Sequence, residues 1–217
     1  RALIQPECLE QYKTAFDGGT ETDQKVFDAY RSAYHITTAR YMLSYTRFKP
    51  AASLLQYINS LYPPHQRPHI RMMDYGPGVS DYGLAFATYG YQVTLCDIQG
   101  GNLEFAKWRY AQRNLPVETI DVTEANPYPD LGQQDIIIAA EVFEHIREPI
   151  RVIANMHKSL SPKGLLWYTG YPDFERKVGG GHLQEAADCR EAAYAYVQQH
   201  FKPATQVPIA GLLYQKY

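Results

Sequence analysis

Long apolar runs are missing. No stretch of the 217 residues approaches the length of a bilayer-spanning helix, so no membrane partner is expected. Cysteine is scarce: Cys8, Cys96 and Cys189 are odd in number and widely spaced, which argues against a disulfide frame or a cysteine-built zinc site. They read as reduced thiols, and no signal-peptide pattern opens the residues given, so the expected location is the cytoplasm. Excess positive charge is missing too. The net charge is −2 and the basic residues are scattered, so a face built for duplex nucleic acid is not expected. Composition leaves the oligomeric state open.

What is present is ordinary for a globular chain, 45% hydrophobic and 20% charged, with length for one sizeable core and not for two. The exception is tyrosine, at 19 residues, many of them between Tyr30 and Tyr62. A large apolar body with a polar tip suits a lid over a small organic molecule, and it equally suits half-buried helix packing.

The most informative stretch runs from Ile70 to Ser80. A short apolar run ends in Asp74, and the turn Gly76-Pro77-Gly78 follows, with Asp81 and Gly83 leading into a helix-compatible segment. Strand, glycine turn and helix start make a ready nucleotide site, because glycine permits close backbone approach and the first helical N–H groups lack partners. Dinucleotide sites require G-x-G-x-x-G, and Asp81 stands where the third glycine belongs, facing the place of a pyrophosphate. The pattern Asp74-Tyr75-Gly76-Pro77-Gly78 instead reads acid, x, Gly, x, Gly.

The remaining text alternates strands and helices. Asp23 to about Phe48 is helix-compatible, and Pro50 suits the start of a second helix with Leu54, Leu55, Ile58 and Leu61 on its apolar face. Tyr62-Pro63-Pro64 breaks it. Tyr91–Asp97 is a β-rich run closed by an acid 21 positions after Gly76, where a carboxylate at a strand tip can accept both hydroxyls of a ribose. Asn102–Leu115 reads as a helix with Leu103, Ala106 and Tyr110 inward and Lys107, Arg109 and Arg113 mostly outward. Val117–Val122 is a third strand, with Asp121 placed to pair with an adenine amino group. Asp135–Ala140 is an uninterrupted apolar run, as a central strand covered on both faces requires. Glu141-Val142-Phe143-Glu144-His145 follows it. Glu148-Pro149 opens a helix, Ser161-Pro162-Lys163-Gly164 stops it, and Leu165–Thr169 is a fifth strand. Gln184–Phe201 reads as a helix and Ala204–Tyr217 as a β-hairpin. The expected fold is α/β, a Rossmann-like doubly wound sheet of seven strands, mostly parallel with one antiparallel strand in the edge region. Residues 1–64 form an N-terminal helical cap and residues 65–217 the core of the same domain.

Taken together, these motifs resemble the class I S-adenosylmethionine-dependent methyltransferases over roughly residues 65 to 170. The E-x-x-E-H segment is similar to the subgroup that includes ubiquinone-pathway O-methyltransferases and many natural-product enzymes. Departures are Pro77 inside the glycine turn, Ser80 in place of a third glycine, and Pro-Lys-Gly at 162–164. The resemblance implies S-adenosylmethionine as cofactor, S-adenosylhomocysteine as product, and a cofactor site lined by Asp74, Gly76, Pro77, Gly78, Asp97, Ile98, Asp121, Val122, Ala140 and Glu141. The expected acceptor is the O or N of a small molecule.

In-line displacement at a methyl on a positive sulfonium needs little more than positioning and desolvation. A hydroxyl acceptor must also lose a proton, and His145, just past the fourth strand, is the candidate base, with Glu141 and His182 as further catalytic candidates. Arg40, Tyr41, Tyr45 and Arg47 are the candidate substrate contacts, by placement in the cap. The favoured reading has no metal. An alternative does: if residues 141–145 are helical, Glu141, Glu144 and His145 share a face and His182 can add a fourth ligand. A similar arrangement occurs in small-RNA terminal 2′-O-methyltransferases, so the alternative is a metal-dependent RNA or sugar O-methyltransferase. An NAD(P) oxidoreductase and a non-catalytic cofactor-binding partner are the other readings. Base-amino and cytosine C5 methylation are disfavoured. Ala140-Glu141-Val142-Phe143 replaces the Asn/Asp-Pro-Pro-Tyr sequence, and no Pro-Cys nucleophile follows the fourth strand.

Overall fold

The structure, a computed structural model, describes residues 24, 27, 28, 31, 45–169, 182–204 and 212–217. The expected helix from Asp23 to Phe48 therefore lies mostly outside the described residues, as does most of the proposed cap. Seven strands form one sheet: β1 (Arg71–Tyr75), β2 (Gln92–Ile98), β3 (Glu118–Val122), β4 (Gln134–Ala140), β5 (Leu160–Thr169), β6 (Phe201–Pro203) and β7 (Leu212–Lys216). Their spatial order is β3-β2-β1-β4-β5-β7-β6. Pairings from β3 through β5 are parallel, and β7 runs antiparallel to both β5 and β6. This is the expected Rossmann-like sheet with one reversed strand near an edge. The order reverses beside β1, and the carboxyl ends of β1 and β4 flank the crevice where open α/β sheets hold ligands.

The apolar run of β4 explains the layering. Successive side chains of a strand point to opposite faces. Ile136 and Ile138 join Met72, Leu165 and Trp167 in one core. The helices α1 (Tyr45–Leu61), α2 (Asp81–Thr88) and α3 (Gly101–Ala111) cover that face through Leu54, Ile58, Phe86, Leu103 and Tyr110. Ile137 and Ala139 join Met73, Leu166 and Tyr168 on the other face. There α4 (Pro149–Ser159) supplies Val152, Ile153 and Met156. The pair α5 (Gln184–Asp188) and α6 (Arg190–His200) lies on the same side, where α6 adds Ala193 and Val197. Among the described residues no helix is long and apolar enough to cross a membrane.

Several boundaries differ from the sequence reading. Pro50 lies inside α1, not at its start. A proline there removes only one helical N–H donor, while the packing of Leu54 and Ile58 holds the helix together. The third helix ends at Ala111, because Asn114 takes a left-handed backbone (φ 51°) and the Leu115 N–H turns back to the Tyr110 carbonyl at 3.1 Å. The expected single helix over 184–201 is interrupted at Cys189, and β6 starts at Phe201 immediately after it. The stop at 161–164 lies inside β5 as an irregularity. Gln134 pairs with Leu160 and Ile136 already with Leu165, Lys163 is left-handed (φ 65°), and Ser161 Oγ donates to Asp135 Oδ1 at 2.6 Å.

The tightest packing is under α2. A Cβ on Gly83 would stand 2.6 Å from Ser80 Oγ, 2.7 Å from the Tyr110 hydroxyl and 2.8 Å from Asp74 Oδ2. Gly83→Ala should lower stability by about 1–3 kcal/mol, the usual cost of overpacking. Urea unfolding checks this, and a loss under a few tenths of a kcal/mol would contradict the packing described.

Candidate functional site

At the end of β1 the chain turns sharply. Gly76 is left-handed (φ +62°) and donates its N–H to the Cys96 carbonyl at 2.8 Å, tying the turn to β2. A side chain there would meet Val142 Cγ2 at 2.7 Å, so both conformation and space demand glycine. Gly78 is left-handed as well (φ +54°), yet among the described residues nothing lies within 4 Å of the position its Cβ would take. The outer face of the turn is open. Ser80, in the place of a third glycine, is itself left-handed (φ 57°) and fully buried.

Asp74 braces this turn from beneath. Its Oδ2 accepts the Gly83 N–H at 2.8 Å and the Ser80 hydroxyl at 3.0 Å, and Tyr110 OH lies 3.3 Å from Ser80 Oγ. Burial pushes its carboxyl up to about 6, against the opposing pull of those two donors. The contacts described for Asp74 are thus with the protein's own turn. Arg109 closes the turn from the side: its Nη1 donates to Asp81 Oδ1 at 2.7 Å and to the Val79 carbonyl. The helical pattern placed Arg109 mostly outward. The structure folds its long side chain over the turn, where little of it is exposed.

Across the crevice, Asp97, the penultimate residue of β2, is in register with Asp121 on β3, and Ile98 with Val122. Asp97 Oδ1 accepts the Ile98 N–H at 2.7 Å. Burial raises its carboxyl to about 7, the Asp74 charge adds to this, and N–H donors from Ile98 and Gly78 oppose it. Asp121 Oδ2 accepts the Gln99 amide at 2.6 Å on the exposed side. The sequence reading missed Gln99, although its position two residues past Asp97 was the available signal.

The end of β4 supplies the third wall. Ala140 and Glu141 are partly buried, and the Glu141 N–H donates to the Thr169 carbonyl at 3.2 Å. Glu141 is left-handed (φ 56°), and only Phe143–His145 form a helical turn, of the 3₁₀ kind. The premise that 141–145 is one helix therefore fails. Glu141 does not share a face with Glu144 and His145, because the backbone reverses hand between strand and turn. Glu144 is buried, its Oε1 is 4.0 Å from His145 Nε2, and the rings of His145 and His182 lie 5.1 Å apart at 66°. One potential donor atom each from Glu144, His145 and His182 lies within 4.8 Å of the others. Arg40 and Tyr41 lie outside the described residues, and so do the side chains of Tyr45 and Arg47.

Residues 73–168 match the methyltransferase domain family. A ubiquinone biosynthesis O-methyltransferase from Ruegeria pomeroyi is 30% identical over 97 residues, 44% of this chain and 39% of that one. The enzyme of that name from Rickettsia akari is 26% identical over 114 residues, 51% of this chain and 45% of the other. The chain thus spans less than half the length of these curated relatives. Among solved structures, the PH0226 protein of Pyrococcus horikoshii aligns with a TM-score of 0.59 at 15% identity, over 83% of this chain and 96% of its own. A candidate O-methyltransferase from Nostoc punctiforme gives 0.58 at 13% identity, over all of this chain and 70% of its own. Residues 73–168 thus match a methyltransferase domain, and the sheet around them is the fold shared with these solved structures.

The two raised carboxyls set a pH dependence. Their native pKa values exceed the unfolded value of about 4, so between there and neutrality the native state binds more protons than the unfolded one. Their stabilising contribution is full below about pH 4. It is lost as pH rises through about 6 for Asp74 and about 7 for Asp97. Urea unfolding of ligand-free protein should show stability falling across that window, and Asp97→Asn should flatten its upper part. An unchanged slope in the variant would contradict the burial of Asp97.

Proposed function

We propose that the protein transfers a methyl group from S-adenosylmethionine to an oxygen or nitrogen of a small-molecule acceptor by in-line displacement. One observation carries the reading: the left-handed turn at Gly76 and Gly78 leaves β1 tied to the adjacent parallel strand β2 by the Gly76 N–H bond to the Cys96 carbonyl, one residue before Asp97. Asp97 accepts the ribose hydroxyls, Ile98 and Val122 flank the adenine, and Asp121 accepts its amino group. The turn at Gly76, Pro77 and Gly78 lets the methionine part approach the backbone, with Ala140 and Glu141 behind it. Asp74 acts on the cofactor through the turn it braces. The names of the curated relatives favour oxygen as the acceptor atom.

The sulfonium is already an activated leaving group, so positioning and exclusion of water supply most of the rate. A hydroxyl acceptor must shed a proton, and Glu144, His145 and His182 gather titratable groups at the same end of the sheet. His145 is the lead group there, with His182 and Glu141 beside it, and Arg40, Tyr41, Tyr45 and Arg47 contact the acceptor from the N-terminal segment.

Calorimetric titration with S-adenosylhomocysteine tests the reading. Ribose hydroxyls favour ionised Asp97, so binding expels the proton that this carboxyl holds below about pH 7. Affinity should therefore fall as pH drops, by at most about tenfold per unit. Asp97→Asn should weaken binding by at least roughly tenfold, the value of a hydrogen bond to a charged group, and remove the slope. Binding of a nicotinamide dinucleotide with no affinity for S-adenosylhomocysteine would replace this function with a redox one.

A further inference from the structure

We propose that the meeting point of α4, α6, β6 and β7 is an acid-opened latch: when the His157 imidazole takes a proton, Lys216 leaves the last carbonyls of α4 and the β6–β7 edge of the sheet comes free. The latch lies where α4 ends and β5 begins, at the opposite end of the sheet from the crevice. Lys216, the last residue of β7, donates through Nζ to the His157 carbonyl at 2.7 Å and to the Leu160 carbonyl at 2.8 Å. Carbonyls in the last turn of a helix have no partner within it, so this ammonium closes α4 and ties β7 to it.

The ring of His157 joins the other two elements. It meets the ring of His200, the last residue of α6, at 5.1 Å and 56°, and that of Phe201, the first of β6, at 5.1 Å and 79°. Tyr196 backs His200 at 4.2 Å and 31°. Phe201 and Lys216 are in turn opposite each other across β6 and β7. One residue thus holds the ammonium by its carbonyl and the ends of α6 and β6 by its side chain.

The elements packed around this ring bring only basic or neutral groups. β7 supplies Lys216, α6 supplies His200 and the Tyr196 phenol, and β6 supplies Phe201 and the exposed Lys202. α4 itself adds the exposed Lys158, and β5 begins with Leu160 and Ser161. Among the described residues no carboxylate pairs with His157, His200 or Lys216. A helix C-terminus ordinarily favours a protonated histidine. Here Lys216 already occupies that negative end, so a second cation meets repulsion on a half-buried ring. Burial, the Lys216 charge and His200 together hold the His157 imidazole below its ordinary value. Lys216 is the group that yields, because a strongly hydrated ammonium on a flexible stem reaches water more readily than a packed ring.

A depressed imidazole contributes stability that is full above its unfolded value of about 6.5 and is lost as pH falls below it. Asp74 and Asp97 act in the opposite direction, since their raised carboxyls favour the native state as pH falls. The latch therefore opens locally in a molecule whose crevice is gaining stability, and global unfolding cannot mimic it.

NMR of the whole chain tests this, by imidazole titration and by amide hydrogen exchange. The reporter is the Ala204 N–H, which donates to the Leu213 carbonyl at 3.0 Å just beyond β6, and the reference is Ile137 in the middle of β4. From about pH 7 to about pH 5, exchange at Ala204 relative to Ile137, corrected for intrinsic rates, should rise several-fold and by at most about tenfold per unit, the limit for one proton. His157 should titrate below about 6.5. His157→Gln should make the exchange ratio independent of pH. Lys216→Met should raise the ratio already at neutrality, flatten its pH response and move the His157 titration upward. Protection of Ile137 in each variant reports that the core has folded, and if His157→Gln fails on that count the wild type and Lys216→Met decide. A flat ratio in the wild type, a His157 titration at or above the ordinary value, or an undiminished pH response in either variant overturns the latch.

Discussion

The pair of hydrogen bonds that Asp74 Oδ2 accepts from Gly83 and Ser80 is the constraint on which the site depends. A carboxylate buried at the end of β1 is costly unless donors surround it. Here the donors belong to the first turn of α2, so satisfying the charge also fixes where that helix begins. The helix start in turn fixes the path of residues 76–80, which explains how a buried serine can hold a left-handed backbone without glycine's freedom. Tyr110, from α3, closes the set against Ser80. Three elements thus meet around the Ser80 hydroxyl, and the shape of the turn follows from what is held underneath it.

A second theme is the crowding of carboxylates in one crevice. The Asp81 charge raises the proton affinity of Asp74 and the Asp74 charge that of Asp97, and both are held high chiefly by burial. Without ligand this is a costly arrangement, since burial keeps Asp97 partly protonated near neutrality. On the methyl-transfer reading proposed above, ribose hydroxyls donating to Asp97 would offset that cost directly. The protein's own stability is lowered at the place where binding restores it, a common trade at functional sites.

The sheet and the glycine turn were legible in the sequence because each rests on a local signal. The apolar run at 135–140 has one physical home, a strand covered on both faces, and the acid-x-Gly-x-Gly spacing encodes a backbone shape. Asp97 was legible by its distance from the turn. What stayed hidden depends on long side chains or on backbone hand. Arg109 follows helical spacing to the outside, yet its guanidinium reaches back to Val79 and Asp81. Gln99 looks like a loop amide until β3 brings Asp121 beside it. Glu141 and Glu144 read as one helical face because nothing in residue type announces that Glu141 is left-handed. The irregularity in β5 was read as a turn before the strand, since Ser-Pro-Lys-Gly is turn chemistry whichever side of the boundary it falls on.

The turn at Gly78 separates two demands that usually coincide in a glycine. Its backbone has the hand that L-residues avoid, while the space beyond it is empty. A residue of opposite chirality would satisfy that backbone without strain. An L-alanine methyl would meet no described atom within 4 Å, so its cost there is the backbone's alone, about 1–2 kcal/mol. The price of chirality at one α-carbon therefore separates what the polypeptide needs from what its guest needs.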